Sequence, residues 1–184
     1  MVETSPPNAC AHRLVVRKAT AAEPYHFTDV GLPDVYLTGI RYFVCQVCKQ
    51  IVKVEIPALK GLLDAIARAI VMKESSLTGG QARYLRKRLG WKAVDFAGIL
   101  RATPEQLSRW ENGHNELSGA TDRLIRLAYT FLSKDSKLKH VVQRVQEEFD
   151  RWSTSIRDQG ENEVITAEYK ANRQWVAAAA PIAA

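Results

Sequence analysis

Residues 85–113 read LRKRLGWKAVDFAGILRATPEQLSRWENG, and this stretch carries most of the information on the fold. It predicts two short helices that are joined by a turn at Arg101 and Ala102. The second helix has a strong start, because Thr103 supplies a capping hydroxyl, Pro104 takes the first helical position and Gln106 follows three residues after the cap. A small shared core would fix the angle between the helices. Its expected members are Phe96, Ala97, Leu100, Leu107 and Trp110.

The second helix of this pair is expected to turn its polar residues outward. These residues are Glu105, Gln106, Ser108, Arg109 and Asn112. A DNA major groove admits one helix, whose side chains then read the base edges. Arg109 would bond a guanine edge through two donors, Gln106 would read an adenine, and Glu105 would accept from a cytosine amino group. The alternative is an ordinary helical bundle in which one helix ends in the sequence ENG.

Residues 85–132, with SRWENG at their centre, resemble the Cro/Xre-type helix-turn-helix domain. The resemblance implies that Glu111 is a structural acid and that Gly113 is the left-handed residue that ends the recognition helix. The local charge agrees with a nucleic-acid partner. Residues 77–132 hold nine Lys and Arg against five Asp and Glu, and so carry four of the six net positive charges of the chain.

Phosphate contacts are expected where helix N-termini and hydroxyls point at an anion. The candidates are Lys92 at one helix start, Thr103 at the next, and His114 in the loop that follows. The basic run Arg86, Lys87 and Arg88 is a further candidate. For each basic residue the alternative is a solvated helix face.

The part of the chain before residue 57 has the composition of short strands. β-branched and aromatic residues are frequent from Leu14 to Val54, and Pro and Gly punctuate them. After Pro57 the apolar spacing changes to that of an amphipathic helix. The sequence LTGG (residues 77–80) then predicts a joint, with Thr78 capping the next helix.

Two of the three cysteines form a CxxC motif, Cys45 and Cys48, after a predicted strand. A structural zinc site needs four ligands, and Cys10 and His12 are the candidates that would complete a Cys3His set. Such a zinc site would join the two ends of a small sheet. Two readings stay open beside it: a pair of thiols without metal, and a redox pair, although that chemistry is typical of a helix N-terminus in a βαβ unit.

The combination of a strand-rich CxxC segment with this helix-turn-helix resembles the MqsA-type antitoxins with a YgiT-type zinc finger, over roughly residues 10–132. The resemblance implies an N-terminal zinc module that pairs with a toxin or another protein partner. It also implies a helix-turn-helix that dimerises, represses a promoter and reads bases with Glu105 and Arg109. This chain departs from the family in having Cys10 and His12 in place of a first CxxC, and in its longer tail.

The tail after Ser133 shows apolar residues at helical spacing from Leu138 to Trp152, then a weak strand signal in EVITAEYKA and an Ala-rich end. We therefore expect an α+β protein with a β-rich, zinc-finger-like module at 10–56 and a connecting helix at 57–76. An all-α Xre-type helix-turn-helix domain would follow at 77–132, and a C-terminal helical extension and tail at 133–184.

Composition limits the function. The 184 residues carry a net charge of +6 and have a globular composition, with no apolar run long enough to cross a membrane and no signal-peptide pattern, so a cytoplasmic protein is expected. The four scattered His residues and the helix-surface acids form no catalytic constellation, so no enzyme is expected. The sequence predicts a homodimeric regulator that binds double-stranded operator DNA, or alternatively an antitoxin whose N-terminal module masks a toxin.

Overall fold

The computed structural model describes residues 13–133, 138, 163–170 and 174–181. This part of the chain folds into five helices and two β-sheets, which confirms a mixed α+β protein. The strands before the first helix are β1 (Leu14–Lys18), β2 (Tyr25–His26), β3 (Val35–Thr38), β4 (Arg41–Cys45) and β5 (Ile51–Glu55). Two more strands follow the helices, β6 (Glu163–Tyr169) and β7 (Trp175–Pro181).

Three strands form what we call the N-terminal sheet, in the order β1-β4-β5 and antiparallel throughout. Leu14 lies opposite Cys45, so the start of β1 meets the end of β4. The strand register between β4 and β5 shifts after Phe43, as a β-bulge does. The predicted strand-rich segment is therefore present.

The other four strands form a mixed sheet in the order β2-β3-β6-β7. The β6 strand runs parallel to β3, and β7 pairs antiparallel to β6. The weak strand expected in EVITAEYKA is thus present as β6, whereas the Ala-rich end, expected to be a tail, forms β7. The predicted order of a β module followed by an all-α domain is not confirmed. The C-terminal strands β6 and β7 join β2 and β3, which precede the helices, in one sheet.

The first helix, α1 (Leu59–Met72), occupies the expected connecting segment. Its apolar face packs on β6 and β7. The indole Nε1–H of Trp175 in β7 donates to the Pro57 oxygen at 2.8 Å, just before α1 begins. Gly61 of α1 lies beside the same indole ring. The strand β7 is therefore fixed to the helix as well as to β6.

Four further helices follow: α2 (Gly79–Arg88), α3 (Ala93–Ile99), α4 (Pro104–Glu111) and α5 (Gly119–Leu132). The hydroxyls of Thr78, Thr103 and Ser118 cap α2, α4 and α5, as their sequence positions favour. The sequence LTGG was expected to connect two modules, but its two glycines already belong to α2, which begins at Gly79.

A buried ion pair within α5 positions the arginine that connects this helix to α1. The Arg126 Nε lies 3.2 Å from Asp122, and both side chains are almost fully buried. Asp122 also accepts the Leu77 backbone N–H at 3.0 Å. The Arg126 guanidinium donates to four backbone oxygens that end α1 and begin the connection to α2. These belong to Ile70, Val71, Lys73 and Ser75.

One continuous hydrophobic cluster connects the mixed sheet to the helices. It includes Val35 and Ile165 from the sheet, Ile66 from α1, and Leu85 and Leu107 from α2 and α4. Leu138, the single described residue of the predicted C-terminal helical extension, is fully buried in this cluster; the rest of that prediction lies outside the described residues. Among the described residues no helix combines the length and apolarity that crossing a membrane requires.

Candidate nucleic-acid interface

The two helices of the predicted helix-turn-helix share the expected core. Its five members are all buried: Phe96, Ala97, Leu100, Leu107 and Trp110. The connection reverses the chain at Arg101, whose φ of 54° lies in the left-handed region. The Ala102 backbone N–H then donates to the Ala97 oxygen at 2.9 Å. The angle between α3 and α4 is thereby fixed by apolar packing and by the turn itself.

The N-terminus of α4 is closed by its own side chains. The Thr103 hydroxyl accepts from the Gln106 backbone N–H at 3.2 Å. The exposed Glu105 carboxylate accepts from its own backbone N–H and from Thr103, and these hydrogen bonds lower the pKa of Glu105 below its ordinary value. A carboxylate at this position is also favoured by the helix dipole. The start of α4 therefore carries a fixed negative charge.

The buried and exposed residues of α4 lie on opposite sides of the helix. Leu107, Trp110 and Glu111 face the protein. The five predicted base-reading residues are all exposed, and at about 100° per residue they span an arc of about 160°. They are Glu105, Gln106, Ser108, Arg109 and Asn112.

Arg109 lies near the middle of this exposed arc. Its side chain makes no hydrogen bond or ion pair with the part of the chain that the structure describes, and the same is true of Gln106. By contrast, the Asn112 amide donates back to Ser108, to its backbone oxygen at 2.8 Å and its hydroxyl at 3.3 Å. Gln106 and Arg109 are therefore the side chains on α4 with the most freedom to contact a partner.

The C-terminal end of α4 is held by a buried ion pair with α2. The Arg86 Nε lies 2.6 Å from Glu111 Oε1, and its second amine lies 2.8 Å from Oε2. The remaining amine of Arg86 donates to the Trp91 oxygen at 2.8 Å. The hydrogen bonds that Arg86 donates to the Glu111 carboxylate raise the pKa of Arg86. Gly113 follows with a φ of 73°, so the expected structural acid and left-handed helix end are both present.

Not all of the expected phosphate contacts are available. Arg86 was a candidate, but its guanidinium is buried against Glu111 and cannot reach an exposed phosphate. Arg88 forms an ion pair with Asp64 of α1. Lys87 is exposed, and so are the three predicted contacts Lys92, Thr103 and His114. The Thr103 hydroxyl is already bonded to the Gln106 backbone N–H and to Glu105.

One contact that orients α4 was missed by the sequence reading. A Cβ atom built on Gly79, the first residue of α2, would lie 1.8 Å from the Trp110 backbone oxygen. Only glycine lets the two backbones approach this closely. Thr78 as a cap predicted where α2 starts, but nothing local to the sequence indicates the contact with residue 110.

The CxxC motif lies in the turn between β4 and β5. Cys45 is buried and Cys48 is exposed. The Val47 backbone N–H donates to the Cys45 sulfur at 3.4 Å, and Lys49 takes a φ of 61°. The Gln46 N–H donates to the Arg13 oxygen at 3.1 Å, which brings the start of β1 against this turn.

Cys45 and Cys48 could supply two of the four ligands of a tetrahedral zinc site, and the Val47 N–H bonded to the Cys45 sulfur is compatible with that role. The other two predicted ligands, Cys10 and His12, lie outside the described residues. Within the described ranges no group of three or more His, Cys, Asp or Glu side chains is placed to hold a metal.

No family model, curated protein or solved structure matches this chain with significance.

Proposed function

We propose that the protein is a sequence-specific DNA-binding transcriptional regulator that inserts α4 into the major groove. The observation that supports this most directly is the exposed polar arc of α4 opposite the buried side chains of Leu107, Trp110 and Glu111. Arg109 and Gln106 lie on that arc with their hydrogen-bonding groups turned to no described protein partner. These are the side-chain types that form two-point contacts with guanine and adenine.

The rigidity of α4 also supports the proposal. A recognition helix must hold its side chains in register with the base pairs, and this requires support from the rest of the domain. The Arg86–Glu111 ion pair and the Gly79 contact hold its C-terminal end, while Thr103 caps its start. The protein therefore presents a preformed helix.

The charge of the helical segment favours a polyanion. The buried pairs Arg86–Glu111 and Asp122–Arg126 are internally neutral, so the excess of nine Lys and Arg over five Asp and Glu in residues 77–132 resides in the other side chains. Exposed cations include Arg83, Lys87 and Lys92. Such an excess steers DNA to the surface before base contacts form.

We propose that the regulator acts as a homodimer. Large apolar side chains remain exposed on α5, with Leu124 39% exposed and Phe131 65% exposed one heptad later on the same helix face. A second copy would cover such a stripe. Two copies would then read two half-sites about one helical turn apart, and occupancy of a promoter would repress it.

Selection from a random-sequence DNA duplex library tests this proposal. Wild-type protein is expected to enrich a site with two related half-sites, and Arg109→Ala to lose the preference for guanine at one position of each. Recovery of duplexes without any shared sequence by the wild-type protein would contradict sequence-specific recognition.

A structural zinc ion is a separate proposal, held by Cys45 and Cys48 with Cys10 and His12. The Arg13–Gln46 hydrogen bond supports it, because it places the chain that follows His12 beside the CxxC turn. Metal analysis of the purified protein should find about one zinc per chain, and Cys48→Ser should lose it. Protein that melts identically with and without a strong chelator, and that holds no zinc, would contradict this proposal.

A further inference from the structure

The N-terminal sheet has one face that the core does not use. In an antiparallel sheet, paired residues place their side chains on the same face. Tyr42 and Val54 are paired, and both pack against the hydrophobic core. Residues one position away in each strand therefore point to the opposite side, which we call the outer face.

The outer face is defined by two rows of side chains. One row contains Lys18, Arg41 and Glu55, and the next contains Val16, Phe43 and Lys53. Lys18, Arg41, Lys53 and Val16 are exposed, and Phe43 is half-buried. Arg41 forms an ion pair with Glu55 at 2.9 Å, so the single acid of the outer face is already neutralised.

The charge of this sheet is almost entirely of one sign. Residues 13–18 and 41–55 contain six Lys and Arg and one acid, Glu55. The cations are Arg13, Arg17, Lys18, Arg41, Lys49 and Lys53. Lys18, Arg41 and Lys53 lie on the outer face, whereas Arg17, opposite Tyr42, lies on the other face. Along strands about 17 Å long, Arg13 and Lys49 lie at the CxxC end, and Lys18 and Arg41 lie at the other end. A linear polyanion matches such a track.

The outer face also combines cations with apolar surface. The Lys53 ammonium lies 5.9 Å from the centre of the Phe43 ring, which holds the charge in place over the face. Val16 and Phe43 offer apolar surface beside the cations, against which the sugar rings between phosphates can pack. Neither feature is used by the α4 interface.

We propose that the outer face of the N-terminal sheet binds the phosphate backbone of duplex DNA without sequence preference. This inference builds on the proposed function, because α4 would supply the sequence-specific contacts and the outer face a general electrostatic one. An acidic protein, such as a toxin masked by this part of the chain, is the other partner class that the charge could attract. Lys18 and Lys53 lie in successive rows of the outer face, and cations repeated along the strands favour the regular backbone of DNA.

The test is a salt series with the full-length protein and two duplexes, the DNA upstream of its own gene and a scrambled sequence. Lys53→Gln and Lys18→Gln are compared with Lys60→Gln, an exposed lysine at the start of α1 that lies outside the sheet. Each outer-face variant should lose affinity for both duplexes by the same factor. The slope of log affinity against log salt concentration should become less steep by about one for each of these variants. Lys60→Gln should keep the wild-type affinity and slope.

The outcomes distinguish a failure of DNA binding by the outer face from a failure of sequence-specific recognition by α4. If Lys53→Gln and Lys18→Gln bind both duplexes as wild type does, the outer face is not a DNA surface, whatever α4 does. If those variants instead lose a co-purifying acidic protein, the face binds protein and the inference is overturned. If wild type binds both duplexes equally and the outer-face variants weaken both, the inference holds and sequence-specific recognition fails. Wild type that binds neither duplex overturns both.

Discussion

Arg86 and Glu111 meet in a two-point ion pair across the α2–α4 interface, with donor–acceptor distances of 2.6 and 2.8 Å. Both side chains are nearly excluded from water, and the third Arg86 contact goes to the Trp91 backbone oxygen. The pair thus fixes the end of α4, on which Arg109 stands, relative to the rest of the helical segment.

Removing the acid of this pair should be costly. Glu111→Ala leaves the buried Arg86 without its counter-charge and should lower the free energy of unfolding by about 3 kcal/mol. Urea denaturation measures the loss. The control is Glu116→Ala, an exposed acid in the loop after α4, which should be close to neutral. Equal stability of the two variants would contradict a structural role for the pair.

Two adjacent glycines at the start of α2 give a matched comparison. Gly79→Ala brings a methyl group against the Trp110 backbone oxygen and should destabilise the protein by about 2 kcal/mol or more. Gly80→Ala meets only ordinary contacts near 3.9 Å and should be neutral or stabilise slightly, because alanine favours a helix. Thermal denaturation of both variants is the measurement. A Gly79→Ala protein as stable as Gly80→Ala would show that α2 and α4 do not approach as described.

The C-terminal strands should contribute to stability through Trp175. Trp175→Phe removes the hydrogen bond to the Pro57 oxygen and should cost about 1–2 kcal/mol in urea denaturation. Trp91→Phe is the control, because the indole N–H of Trp91 donates to no described residue. If Trp175→Phe is no more destabilising than Trp91→Phe, β7 is not fixed to α1 by this contact.

The start of α4 predicts a pH dependence. Hydrogen bonds lower the pKa of Glu105 in the folded protein below its ordinary value of 4.5. The stability that they contribute is therefore present above pH 4.5 and is lost as the pH falls through the lower, folded-state pKa. Carbon NMR of the Glu105 carboxyl should give a midpoint below 4.5 in wild type and a higher one in Thr103→Val. Identical midpoints in the two proteins would exclude Thr103 as a donor to this carboxylate.

The sequence predicts local features of this fold well, because they depend on near neighbours in the chain. Thr103 and Pro104 define the start of α4, and Gly113 defines its end. The alternation of buried and exposed residues along α4 follows from helical periodicity alone. The exposed positions of Gln106 and Arg109 are therefore predictable from the sequence.

Features that depend on distant residues were not predicted. The parallel pairing of β3 with β6 joins Val35 to Ile165, and no local pattern contains that information. The Ala-rich segment of β7 has weak strand propensity, and its pairing with β6 overrides that preference. Arg86 looked like a surface cation because its partner, Glu111, lies 25 residues further along the chain.

The central claim is that Arg109 on α4 reads a base in operator DNA. The direct measurement is the affinity of wild type, Arg109→Ala and the exposed control Arg83→Ala for the DNA upstream of the gene and for its scrambled counterpart. Arg109→Ala should reduce the preference for the upstream DNA by about 1–3 kcal/mol and leave scrambled DNA binding nearly unchanged, while Arg83→Ala keeps the full preference. A preference that survives intact in Arg109→Ala, or that wild type never shows, would contradict the claim.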